Sequence, residues 1–157
     1  MSFCTAINCM DGRVQLPVIR YLQDRFNVEH VDSITEPGPN LILAKSTDKD
    51  LVQSILRRIN ISVERHSSVA IALAGHHECA GNPSTQEEQK QHLVAGIEFL
   101  RRQYRNIQII GLWVDENWKV YEIVNSEQAH IDPDLVELFV NCVAFSDCVH
   151  KAGHAPR

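Results

Sequence analysis

Ser68-Val69-Ala70-Ile71-Ala72-Leu73-Ala74, leading into Gly75-His76-His77-Glu78-Cys79, is apolar nearly throughout and then abruptly polar. A run that hydrophobic is what a strand becomes when helices cover both faces of its sheet, as parallel sheets require. Phe3 to Asn8 repeats the pattern near the start of the chain and breaks into Cys9-Met10-Asp11-Gly12-Arg13. Val28 to Ile34 and Ile107 to Val114 read as two further strands. Each run stops at residues that carry chemistry or turn the chain.

Helical patterns fill the intervals. Pro17 to Phe26 carries Val18, Ile19, Leu22 and Phe26 at helical spacing, with proline at its start. Glu36-Pro37-Gly38-Pro39-Asn40 reads as a loop. Thr47 suits an N-cap, with Asp50 in the first turn and a stripe of Leu51, Ile55, Leu56 and Ile59 behind it. Thr85 and Glu88 form a capping box for a helix through Leu93, Ile97 and Leu100 to about Tyr104. Asp115-Glu116-Asn117 makes a turn, and Trp118 to Val124 is expected to pair back as an antiparallel edge strand.

Strand and helix alternating in this way predict an α/β fold, a mainly parallel central sheet flanked by helices with one antiparallel edge strand. Residues 1–125 are expected to form that domain and to carry the candidate metal site. Residues 126–157 are expected to add a helix from Pro133 to about Val140 and a polar tail packed on the same domain. No internal repeat or linker divides the chain.

In such sheets, ligands sit beyond the carboxyl ends of the parallel strands. Cys9 and His76 fall at the ends of the first and third strands, so the two polar segments are expected at one edge, although 67 positions separate them in sequence.

Composition narrows the function. The 157 residues suit one domain with a full core. A formal charge of -5 argues against nucleic-acid binding, which needs a basic surface to displace counterions. The basic pairs Arg57-Arg58 and Arg101-Arg102 read as solvated helix faces. No apolar stretch is long enough to span a bilayer, and Met1 leads directly into a strand-like segment rather than a secretory signal. Five cysteines (4, 9, 79, 142 and 148) lack the spacing of a disulfide framework, so a reduced, cytoplasmic setting is expected.

Cys9, His76 and Cys79 offer two thiolates and an imidazole, the donors Zn2+ prefers at tetrahedral geometry. Three protein ligands leave the fourth position to water, the pattern of catalytic rather than structural zinc. Two thiolates cancel the formal charge of the metal, so a neighbouring acceptor that orients the nucleophile would help. Asp11 suits that role, and Arg13 is placed to pair with it and keep it ionised. The zinc hydroxide so formed would attack a small electrophilic carbon.

Plainer readings stand beside this one. Asp11 and Arg13 could form a loop salt bridge. The zinc could be structural, with His77 or a tail cysteine as fourth ligand. His77 could replace His76 or relay protons, and Cys142, Cys148, His150 and His154 could make a second site. Cys4 reads as a small buried apolar residue. Trp113, Trp118 and Tyr121 read as core or interface rather than a substrate platform.

Cys-x-Asp-x-Arg after an opening strand, with Gly-His-x-x-Cys later and Gly111-Leu112-Trp113-Val114 on a late strand, resembles the β-class carbonic anhydrases over about Phe3 to Val124. The resemblance implies that Cys9, His76 and Cys79 bind zinc and that Asp11 and Arg13 form the dyad orienting the metal-bound water. It implies reversible hydration of carbon dioxide to bicarbonate, with a small-molecule substrate and a homodimer or higher homo-oligomer. Three departures mark a short, divergent member. Eight residues precede Cys9, where the family pattern has a helical arm. Thr35-Glu36-Pro37-Gly38-Pro39-Asn40 stands where an Arg-Asn-Ala-Gly-Asn segment is usual, and Ala80 follows Cys79 where glycine is usual. A remodelled pocket is therefore expected. Hydrolysis of carbonyl sulfide or carbon disulfide, or a zinc-binding module without turnover, are the alternatives.

Overall fold

The computed structural model describes residues 1–125. Five strands form one sheet: β1 (Phe3–Cys9), β2 (His30–Glu36), β3 (Ala70–His76), β4 (Gln108–Val114) and β5 (Val120–Asn125). Their order is β2-β1-β3-β4-β5. The first three pairings are parallel, and β5 returns antiparallel on β4. The expected α/β architecture with its antiparallel edge is the one found. The helix expected over Pro133 to Val140 lies outside the described residues, as do the tail cysteines and histidines.

Four helices connect the strands: α1 (Gly12–Phe26), α2 (Pro39–Lys45), α3 (Lys49–Arg65) and α4 (Gln86–Gln103). The central strand explains how they pack. Ala70, Ala72 and Ala74 alternate with Ile71 and Leu73 along β3, and every residue of the strand is buried. The alanines join Cys4 and Ala6 of β1 in a core cluster with Val14, Val18 and Leu22 of α1. Ile71 and Leu73 enter a second cluster with Leu43 of α2, Ile55 and Ile59 of α3, and Leu93, Ile97 and Leu100 of α4. Successive side chains of a strand point to opposite faces, so the small residues let α1 approach closely while the larger ones fill the other layer.

Element boundaries depart from the sequence reading in several places. Helix α1 begins at Gly12 rather than Pro17, because the Asp11 carboxylate accepts from the Arg13 backbone N–H and caps it. Pro17 therefore lies inside the helix. The residues read as a loop after β2 instead open α2, with Gly38 as a left-handed N-cap and Pro39 at its start. The cap of α3 is Asp48, whose side chain accepts from the Leu51 N–H, rather than Thr47. Strands β2 and β3 end two residues later than expected, at Glu36 and His76. The capping box of Thr85 and Glu88 is formed as expected.

Arg58 is more than a solvated helix residue: its guanidinium pairs with Glu36 at the end of β2.

Candidate metal centre

Strands β1 and β3 are neighbours, so their last residues, Cys9 and His76, emerge at the same edge of the sheet. Both polar segments are held by named bonds. Gln15 reaches back from α1 and donates to the carbonyls of Cys9 (2.6 Å) and Asp11 (3.2 Å). Asn8 in turn donates to Gln15 Oε1 at 3.0 Å. After β3, the His77 N–H donates to the Val114 carbonyl at 2.9 Å, and the Asn82 N–H to the Cys79 carbonyl at 3.1 Å. Glu78 adopts φ 51°, a left-handed conformation that turns the chain so that Cys79 comes back toward His76.

The Gly81 backbone packs directly on Pro37 and Gly38 at the end of β2. A Cβ on Gly81 would stand 2.3 Å from the Pro37 carbonyl carbon, and one on Gly38 2.5 Å from Gly81. Glycine displaced one place from the usual position thus seats the Cys79 loop against the altered segment after β2.

The donor atoms of Cys9, His76 and Cys79 all lie within 4.8 Å of one another, and all three residues are buried. The two Sγ atoms are 3.7 Å apart. Two thiolates on one tetrahedral zinc, each about 2.3 Å from the metal, stand roughly 3.8 Å apart. His76 Nδ1 lies 2.7 Å from the His77 carbonyl oxygen, which can only accept, so the ring proton is on Nδ1. His76 Nε2 is then a lone pair, buried and without a hydrogen-bond partner. A buried acceptor left orphaned beside two thiols fits a metal ligand, and the residues present fit zinc.

His77, the other candidate, keeps its side chain 38 % exposed, with Nε2 3.6 Å from Glu78. Among the described residues the metal-competent group numbers three, without a fourth donor.

The electrostatics are those of donors that a cation would relieve. Burial pushes the Cys79 thiol up to about 11, and the neighbouring Cys9 adds to the effect. Burial also lowers the His76 imidazole. Cys4, in mid-strand, is pushed up to about 12 by burial.

Asp11 and Arg13 meet as expected. Asp11 Oδ1 accepts from the Arg13 backbone N–H (2.9 Å) and Nε (3.0 Å), and Oδ2 accepts from Nη2 (2.7 Å). The Arg13 hydrogen bonds hold the Asp11 carboxyl down at about 2, with its charge reinforcing them.

The aromatic residues divide. Trp113 is buried in the second core cluster. Trp118, half-buried in the β4–β5 turn, lies under Arg13, whose Cζ is 4.6 Å from the ring centroid. Sequence reading missed this contact, and missed Gln15 and Asn8 as supports of the Cys9 turn. A polar residue one helical turn after Asp11 is the signal that could have found Gln15. A cavity of about 570 Å³ is lined by residues of the Cys79 loop, His77, Cys79 and Asn82 among them, together with Gln89 and Trp113.

Comparison with known proteins agrees with this architecture. The family model described as "Putative carbonic anhydrase" matches residues 1–124. No curated protein matches the chain by sequence. Among solved structures, the chain is similar to one of two tetrameric β-carbonic anhydrases from Sordaria macrospora, at TM-score 0.54 and 14 % identity, covering 78 % of this chain and 81 % of the other. It is also similar to a point mutant of the β-carbonic anhydrase CafD of Aspergillus fumigatus, at TM-score 0.54 and 12 % identity, covering 79 % and 90 %. At such identities the likeness is one of fold.

Proposed function

The chain belongs to the carbonic anhydrase family matched over residues 1–124, and from that premise we propose that it is a zinc-dependent lyase for the reversible hydration of carbon dioxide to bicarbonate and a proton. The observation that carries the reading is the buried trio of Cys9, His76 and Cys79, three donors among the described residues, beside an ionised Asp11.

Cys9 Sγ, Cys79 Sγ and His76 Nε2 would hold the zinc. Bound there, it would supply Lewis acidity and lower the pKa of a coordinated water. The protein's own residues do the rest. The His77 carbonyl fixes the His76 ring and its tautomer. Arg13 fixes Asp11: its backbone N–H and Nη2 each donate to one carboxylate oxygen, and Nε is shared between both. The Asp11 carboxylate would then accept a hydrogen bond from the attacking water and orient it toward the carbon of carbon dioxide. A carboxyl held at about 2 stays ionised for this role throughout the neutral range.

Three buried free thiols, Cys4, Cys9 and Cys79, suit a reduced, cytoplasmic setting. The tetrameric state named for the Sordaria macrospora enzymes supports a homo-oligomer here, which light scattering would read directly.

The test is stopped-flow hydration of carbon dioxide with zinc-loaded wild type beside Asp11→Asn. Asparagine keeps an oxygen to cap α1, so the fold is retained while the carboxylate is lost. A fall of about 10²-fold or more is expected. Full activity in Asp11→Asn would remove the dyad from the mechanism. An inactive wild type with stoichiometric zinc would overturn carbon dioxide as substrate and direct the search to carbonyl sulfide, carbon disulfide or a non-catalytic role.

A further inference from the structure

We propose that Trp118 is a positioning residue for the Asp11–Arg13 pair: its indole face holds the guanidinium in the plane from which Arg13 grips Asp11. The importance of this for turnover rests on the function proposed above, but the contact itself can be tested without it.

Two independent observations carry the inference. The first is the backbone. Trp118 sits at φ 61°, in the left-handed region that glycine or asparagine occupies most easily. The turn is well made around it. The Trp118 N–H donates to the Asp115 carbonyl at 3.0 Å, and Asp115 Oδ1 accepts from the N–H groups of Asn117 (2.9 Å) and Lys119 (2.8 Å). A tight turn of this kind gains nothing from a bulky aromatic at its strained position, so the ring's value lies elsewhere.

The second is where the ring goes. Arg13 Cζ lies 4.6 Å from its centroid, close enough for the ring's quadrupole to attract the cation. The Arg13 side chain is 49 % exposed. An arginine so exposed ordinarily exchanges rotamers freely, and its ion pair is correspondingly weak. Here the guanidinium is held from two sides, by the Asp11 carboxylate and by the indole. Packing on Trp118 limits it to orientations in which Nε and Nη2 both face Asp11. Residues 105 positions apart, on the β4–β5 turn and the first turn of α1, thereby meet beside Asp11.

Trp118 also packs on the apolar cluster beneath α1, so simple coverage of that cluster is the competing role. Trp118→Leu and Trp118→Tyr separate the two. Both keep the left-handed strain and both cover the cluster, but only tyrosine offers a π face. The direct readout is hydrogen exchange of the Arg13 side-chain Nε–H by ¹⁵N NMR, in metal-free and zinc-loaded protein, with Arg13→Lys assigning the resonance.

Exchange about three- to fivefold faster in Trp118→Leu is expected, with near wild-type protection in Trp118→Tyr. Carbon dioxide hydration should follow the same order through kcat, with KM little changed and zinc content constant. Wild-type protection in Trp118→Leu, or equal loss in both variants, would overturn the inference. If wild type does not turn over yet the exchange rates order as stated, the positioning role stands and the proposed reaction fails.

Discussion

Cys9 Sγ and Cys79 Sγ lie 3.7 Å apart across 70 residues of sequence, brought together because β1 and β3 are hydrogen-bonded neighbours in the sheet. The separation is too long for a disulfide and close to what one tetrahedral zinc imposes on two thiolates. Cys9→Ser and Cys79→Ser should each lower zinc affinity by more than the roughly 10–100-fold typical of outer-shell partners, and so lower bound zinc sharply. Metal analysis of the purified variants checks this, and full occupancy in both would refute the ligand assignment.

The seating of the Cys79 loop on Pro37 and Gly38 leaves no room for a methyl group on Gly81. Gly81→Ala should cost about 1–3 kcal/mol, a fall of roughly 2–4 °C in Tm per kcal/mol at this chain length. Gly12→Ala provides the control, since a Cβ there meets nothing within 4 Å. Thermal melts in which Gly81→Ala matches Gly12→Ala would show that the backbone contact relaxes without cost.

Glu78 turns the Cys79 loop in a left-handed conformation at φ 51°. Replacing it by glycine exchanges steric strain for backbone entropy of similar size, so Glu78→Gly should be nearly neutral. A β-branched residue tolerates this region worst, and Glu78→Val should lose about 1–2 kcal/mol. Chemical denaturation of the metal-free variants gives both numbers, and equal stability of the two would discount the strain.

The capping box of α4 carries a pH signature. Backbone and side-chain hydrogen bonds from Thr85 hold the Glu88 carboxyl below its ordinary value of 4.5. A depressed folded-state value means that the unfolded chain binds the proton more readily, so this stability is present above about pH 4.5 and is lost as pH falls through the folded value. Glu88→Gln should therefore be less stable than wild type near neutrality, with the gap narrowing below about pH 4.5. A gap that does not vary between about pH 3 and pH 7 would sink the charge contribution. Thr85→Ala, which removes the cap hydroxyl itself, should cost about 1 kcal/mol.

Helix α4 and the buried strands were legible because their signals are local. Thr85 and Glu88 are three residues apart, and the alternation of alanine with isoleucine and leucine along β3 fits within seven residues. Helix α2 was not legible, since its seven residues are too few to display a period and begin with Pro-Asn after a glycine. Burial of Pro39, Asn40 and Leu43 holds it. The start of α1 was hidden for a related reason: Asp11 belongs at once to the metal-loop motif and to the helix cap, and Pro17 resembled a beginning.

The sequence by itself determined the α/β alternation and the kinds of donor at two strand ends, because hydrophobic period and ligand chemistry reside in neighbouring residues. Only the tertiary structure shows which histidine lies beside the cysteines: the donor atoms of Cys9, His76 and Cys79 come within 4.8 Å of one another, with His76 Nε2 buried and its Nδ1 on the His77 carbonyl. It also decided what lies behind Arg13. Trp118 reaches the guanidinium through the order of the strands and the return of β5 along β4, and no spacing in the sequence encodes that approach.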